Sequence, residues 1–149
     1  MKIRPFCLVD MDAVIVLWQA CELIRPWNNP HLDILRKLKV QSSLFVVGEQ
    51  GSDIIATAMF GYDGHRGWVN YLAVLPRHQK LGYARQLMEY GRGRCCLLGA
   101  QNLIFKLGRI ICKQEVFIRH WAMLRMKLCL TAKDCLKMRV VNMSKFLQR

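Results

Sequence analysis

Hydrophobic and polar positions repeat with two different periods along the first ninety residues. "KIRPF" reads as a short edge strand, because Pro5 has no N–H to give to a sheet ladder. Asp10 then stands as a helix N-cap with Asp12 in the first turn, where the helix dipole favours negative charge. Val14, Leu17, Trp18, Cys21 and Ile24 recur at helical spacing. That helix is expected to stop by Arg25, since the residue before Pro26 disfavours helical geometry. "RPWNNP" reads as a loop. Asn29 and Pro30 form an N-cap and a first-turn proline, opening a second helix that carries Leu32, Leu35 and Leu38.

The period then changes. "SLFVVGE" and "DIIATAMFGY" read as strands joined by "QGS", and "WVNYLAV" follows a second turn framed by Gly64 and Gly67. Pro76 ends this strand. "LGYARQLMEY" is helical, with Leu81, Ala84, Leu87 and Met88 on one face. The expected order is β-α-α-β-β-β-α, an α/β chain of one domain's length, 149 residues.

Composition changes this picture at one place. The chain is 53% hydrophobic, which argues against disorder. It has no apolar run of about 18 residues to cross a membrane. Its N-terminus has no apolar segment of the signal-peptide kind. A cytoplasmic protein with reduced thiols is expected. The net charge of +13 is unevenly spread. Residues 1–92 hold 11 Lys+Arg and 8 Asp+Glu, whereas residues 93–149 hold 12 Lys+Arg against only Glu115 and Asp134. Cys95, Cys96, Cys112, Cys129 and Cys135 also lie in that second part. None of these cysteines has zinc-site spacing, and His120 has no partner at ligand spacing, so no metal is expected. A nucleic-acid-binding module is disfavoured too: the basic tail offers only Phe105, Phe117, Trp121 and Phe146 and no recognised motif.

The candidate chemistry lies in "YLAVLPRHQKLGYARQLM". A strand ends at Val74, and a short loop ends in Gln79–Ala84, where a helix begins. Free N–H groups at a helix N-terminus attract anions, and Gly82 lets a phosphate approach closely. Arg77, Lys80 and Arg85 add positive charge. A plain strand–loop–helix junction explains the same residues about equally well.

This stretch resembles the acetyl-CoA motif of the GNAT superfamily of N-acetyltransferases, Q/R-x-x-G-x-G/A after a strand ending V-x-P. "LIRPWNNP", "SLFVVGE" and "FGYDGHRG" resemble a subfamily of small bacterial acetyltransferases, and the resemblance runs from Lys2 to about Tyr90. It implies a mixed sheet flanked by helices and splayed between its fourth and fifth strands, with acetyl-CoA as cosubstrate and an amine as acceptor. It also implies that Leu72, Ala73 and Val74 hold the pantetheine arm and acetyl carbonyl. Gln79, Lys80, Leu81, Gly82, Tyr83, Ala84 and Arg85 would then surround the pyrophosphate. Ala56 and Tyr83 depart from the family's usual Gly and Ile. Metal, nucleic acid and membrane are not expected partners.

Asp63 and His65 form the candidate acid–base pair, because a base must take the amine's proton and His titrates in the useful range. The plainer reading makes "YDGHRG" a turn capped by Asp63. Trp27 and Asn28 line a candidate acceptor pocket; a packed aromatic beside an N-cap is the alternative.

The family's fifth strand, a helix carrying F-Y and the tripeptide L-G-Y are expected after Tyr90 and do not appear there in this frame. The genetic code supplies a test. Joining each residue's third codon base to the next residue's first two bases reads a shifted frame. His120–Trp121 then gives only Leu, Trp121–Ala122 only Gly, and Ala122–Met123 allows Tyr. "LGAQNLIFKLG" permits G-C-P-K-L-N-L-Q-V-R. The expectation is that residues 1–90 are the in-family part and 91–149 an out-of-frame tail, the frame slipping between Tyr90 and Arg94. A chain so altered is an inactive or non-enzymatic remnant if its tail cannot complete the fold.

Overall fold

The structure, a computed structural model, describes residues 1–105. They fall in one compact unit, Met1–Lys106. Strands β1 (Lys2–Pro5), β2 (Phe45–Gln50), β3 (Asp53–Tyr62), β4 (Gly67–Val74) and β5 (Leu103–Phe105) form one sheet in the order β1-β2-β3-β4-β5. The first four are antiparallel neighbours, and β5 runs parallel to β4. Helices α1 (Met11–Ala20), α2 (Pro30–Lys39) and α3 (Tyr83–Leu97) cover the sheet. The expected element order through residue 90 is therefore present, and Pro5 sits on an edge strand as its missing N–H requires.

Strand alternation sends Thr57 and Met59 to one face and Ala58 and Phe60 to the other. The first face receives α1 and α2. Trp18, Leu17 and Val14 of α1 and Ile34 of α2 pack there with Phe45, Val47 and Met59. Trp18 is fully buried, and its indole N–H donates to Thr57 Oγ1 at 2.9 Å. The second face receives α3 through Leu87, Met88, Gly91 and Cys95, all buried. A Cβ on Gly91 would run into the Phe60 ring. Burying each large apolar side chain in these layers stabilises the fold by roughly 1.5–3 kcal/mol.

Four local expectations are corrected. α1 stops before Arg25 as expected, but at Ala20, so Cys21 and Ile24 fall outside it: Glu22 takes φ 55, and Leu23 N–H closes the turn onto the Trp18 carbonyl at 3.0 Å. Apolar spacing persisted past the end because Cys21 and Ile24 still pack on the core. In α2 the buried residue is Ile34, while Leu32 and Leu35 are 45% and 43% exposed. Asp10 does not cap α1 with its side chain. Its nearly buried carboxylate instead accepts the Cys7 N–H at 2.8 Å and two Arg4 guanidinium bonds at 2.7 and 2.9 Å. The Arg4 bonds hold the Asp10 carboxyl below its ordinary range. Leu81 lies ahead of α3 and is exposed.

No break marks residue 90. α3 continues through Gly91 and Gly93 to Leu97, and a fifth strand, expected to be missing, follows at Leu103–Phe105. The remaining tail, with its cysteines Cys112, Cys129 and Cys135 and the shifted-frame residues His120–Met123, lies outside the described residues.

Candidate active site

β4 is bulged. Thr57 pairs with Ala73 and Met59 with Asn70, so Tyr71 and Leu72 together face the single residue Ala58. Tyr71 takes φ 50, a left-handed conformation costly for a residue with a Cβ. Its surroundings hold it there. The ring stacks on Trp18 with centroids 4.0 Å apart. Its hydroxyl donates to Asp33 Oδ2 at 2.7 Å and accepts from Asn28 Nδ2 at 3.3 Å. Its carbonyl accepts from Thr57 Oγ1 at 3.2 Å. Burial, and then the Asp33 carboxylate, push the phenol up to about 12, so it stays protonated at neutral pH.

Beyond the bulge, the two strands around β4 leave its end differently served. β5 pairs with Gly67, Trp68 and Val69. The Leu75 N–H bonds to the Ile55 carbonyl of β3 at 2.9 Å, and pairing alternation then turns the Val74 amide and carbonyl away from β3. That carbonyl accepts from Cys21 Sγ at 3.2 Å and from Gln79 Nε2 at 3.0 Å. Burial pushes the Cys21 thiol up, so it acts here as a neutral donor.

Gln79 thereby ties the loop back onto β4. Lys80 and Gly82 both take positive φ, 63 and 82. Backbone of this kind turns successive N–H groups to one side and forms an anion-binding concavity. The first bond of α3 runs from Gln86 N–H to the Gly82 carbonyl at 3.1 Å. The N–H groups of Tyr83, Ala84 and Arg85 precede it, at the positive end of the helix dipole. A Cβ built on Gly82 meets nothing within 4 Å, so the concavity opens to free space. Arg77 pairs loosely with Asp53 at 3.8 Å, and Arg85 with Glu89 at 3.1 Å. The residues expected around a pyrophosphate are thus brought together, with the Leu72–Val74 stretch leading to them.

Asp63 and His65 stand elsewhere. They lie in the β3–β4 turn, which leads into the Gly67 end of β4, while Gln79 follows its Val74 end. Asp63 Oδ1 accepts the N–H groups of Arg66 and His65 at 2.7 and 2.9 Å, and Oδ2 accepts the Trp68 indole N–H at 2.6 Å. These bonds, Arg66's first, hold the carboxyl at about 2. A carboxylate so satisfied is a poor base. The geometry favours the turn role over the acid–base one.

Asn28 comes close to β4 instead, and Trp27 stands beside it on the wall of a recess. The α1–α2 loop forms an open recess of about 490 Å³ with Ile15, Gln19, Ile24 and Pro26 among its walls. Asn28 reaches the bulge through Tyr71, and the N-cap role of Asn29 is present, its side chain accepting from Leu32 N–H at 3.1 Å. Tyr71, Thr57 and Cys21 were missed by sequence reasoning. Tyr71 reads as one more alternating strand residue, and nothing in its side chain announces a positive φ. Among the described residues, no group of three or more His, Cys, Asp or Glu is arranged to hold a metal ion. No helix there is long and apolar enough to cross a membrane.

Comparison with known proteins bears on this arrangement. Ard1 from Thermoplasma volcanium superimposes with a TM-score of 0.71 at 16% identity, covering 80% of this chain and 80% of that one. Naa20 from Chaetomium thermophilum, solved in complex with a bisubstrate analogue, gives 0.66 at 17% identity over 81% of this chain and 70% of that one. A GNAT family acetyltransferase from Brucella melitensis, solved in complex with acetyl-CoA, gives 0.56 at 19% identity over 72% of this chain and 77% of that one. At these identities the likeness is one of fold. The sequence itself matches the model of the acetyltransferase (GNAT) family over residues 12–105, beyond the Tyr90 limit of the resemblance noted above. On that match the chain belongs to the GNAT family of acetyltransferases.

Proposed function

We propose that this chain derives from an N-acetyltransferase that moves an acetyl group from acetyl-CoA to an amine. The observation that carries the reading is the open concavity at Lys80–Arg85, at the end of a bulged β4. Gln79 to Arg85 bind the pyrophosphate through backbone N–H groups, helped by the charges of Lys80 and Arg85. Leu72, Ala73 and Val74 run beside the pantetheine arm. Acetyl-CoA supplies an activated acetyl thioester. The chain's part is to orient that thioester along β4 and to bring the amine to it from the side of Trp27 and Asn28. Asp63 is given no part in this reading, because its carboxylate is committed to the N–H groups of its own turn.

The reading is tested by melting the protein with and without acetyl-CoA. A ligand that binds only the folded state adds about 2.7 kcal/mol of stability at a hundredfold excess over Kd. A clear rise in Tm is expected for a protein with an intact second half. No rise in such a protein removes the reading.

A frame slip between Tyr90 and Arg94 remains our proposal for the tail, and the family match through residue 105 and the strand at Leu103–Phe105 stand against so early a slip. It explains together the jump in charge, the cysteines and the shifted-frame string ending in L-G-Y. The close fit of Gly91 against Phe60 favours a slip after Gly91. Helix formation through Gly93 is no obstacle, since one glycine costs a helix only about 1 kcal/mol. By resemblance, the tyrosine that protonates the leaving thiolate belongs to the displaced second half. The chain as written is then expected to melt with little or no response to acetyl-CoA, and a response equal to that of its frame-corrected form would refute the slip. Sequencing the gene across codons 90–94 checks it directly. A nucleotide sequence whose other frames hold stops throughout and no G-C-P-K series would end the proposal.

A further inference from the structure

The phase of β4 changes at Tyr71. Ahead of it the Asp63 N–H bonds to the Arg66 carbonyl at 3.2 Å, so even-numbered residues turn their backbone groups towards β3. Beyond it the Leu75 N–H bonds to the Ile55 carbonyl, so odd-numbered residues do. From Asn70 to Ala73, β4 takes one step more than β3 takes from Met59 to Thr57. That extra residue exchanges the inward and outward sets. A β4 without it would turn the Val74 amide and carbonyl in towards β3; with it they face the other way.

The left-handed φ of Tyr71 opposes this arrangement, and partners from other elements hold both ends of the residue. Its carbonyl accepts from Thr57 Oγ1, which is fully buried and itself receives the Trp18 indole N–H. Its hydroxyl lies between Asn28 of the α1–α2 loop and Asp33 of α2. The ring between these ends is stacked on Trp18. We infer that Tyr71 is a positioning residue: its phenol, clamped by Asn28 and Asp33, keeps the bulge that turns the Val74 amide and carbonyl to the side along which the pantetheine arm is proposed to run. The inference rests on the acetyl-CoA reading for the arm and on the strand register for the bulge. Tyr71 acts through β4 and touches no reacting atom.

Tyr71→Phe in the full chain tests this, because it keeps the ring on Trp18 and removes only the hydroxyl. Calorimetry uses two probes, CoA and ADP, the second carrying a pyrophosphate but no pantetheine arm. CoA is expected to bind about tenfold more weakly to Tyr71→Phe, the scale of one lost hydrogen bond to a charged partner, while ADP binds as before. Asp33→Asn keeps an acceptor for the hydroxyl and should lose less. NMR on the ligand-free proteins reads the bulge itself: the contact of Ala73 with Thr57 is expected to weaken in Tyr71→Phe, while that of Asn70 with Met59 stays. An equal loss of both probes, which a merely structural role would give, overturns the inference, and so does CoA bound equally well by both forms. A Thr57–Ala73 contact that stays put in Tyr71→Phe overturns it whatever the probes do. If the unaltered chain does not bind CoA and the contact still weakens, the clamp is sustained and the acetyl-CoA reading of the chain as written is not.

Discussion

Gly91→Ala lowers the stability of this protein, while Gly93→Ala, two residues along the same helix, raises it. Both changes give α3 the same gain in helix propensity, about 1 kcal/mol. They differ in what the new methyl group meets. At Gly93 a Cβ finds nothing within 4 Å. At Gly91 it enters the ring of Phe60, which is 1% exposed and cannot swing away into solvent. Overpacking of a filled core costs typically about 1–3 kcal/mol, enough to cancel the propensity gain and exceed it. Gly91→Leu extends the clash further into the α3–β3 layer, with a larger loss. Chemical denaturation of the three variants reads the result. Equal shifts for Gly91→Ala and Gly93→Ala would show that α3 does not pack on β3 at Gly91.

Gly82→Asp acts on ligand instead of fold. Gly82 has φ 82, which Asp tolerates better than most residues with a Cβ, and the space around it is open. The folded chain therefore accepts the change with a small cost. The carboxylate then stands at the mouth of the concavity formed by the N–H groups of Tyr83, Ala84 and Arg85, where the pyrophosphate is proposed to lie. One lost charge-assisted hydrogen bond is worth roughly 1.5–3 kcal/mol, and like-charge repulsion adds to it. Affinity for CoA in a frame-corrected protein should fall by about tenfold or more. Gly82→Asn, of the same size without the charge, should lose less. Unchanged affinity of Gly82→Asp by calorimetry would remove the phosphate assignment.

Much of this site was legible from local signals. Asn29 before Pro30 reads as an N-cap because both residues act within one turn, and the structure keeps that role. "QKLGYA" after a strand reads as a loop that opens a helix through a glycine, and the structure has that junction, with Gly82 at positive φ ahead of α3. Asp63 in "YDGHRG" carries two readings, turn cap and acid, and its bonds to His65, Arg66 and Trp68 supply the first. The end of α1 was misjudged because Cys21 and Ile24 continue to face the core after the helix has stopped. Residue spacing records which side chains are buried, and does not record a left-handed turn at Glu22.

The sequence by itself determined the order of elements, the edge position of β1, the family resemblance and the strand–loop–helix junction at Gln79–Ala84, because each depends on residues adjacent in the chain. The proposal of a second reading frame rests on codons and not on folding. Only the tertiary structure decided the bulge at Tyr71, the clamp from Asn28 and Asp33 onto its hydroxyl, and the collision that keeps Gly91 a glycine. Each of these joins residues far apart in the chain: Asn28 with Tyr71, Trp18 with Thr57, Gly91 with Phe60. A positive φ at a tyrosine costs free energy locally and is held by contacts from two helices and a neighbouring strand, so no local pattern at Tyr71 can announce it.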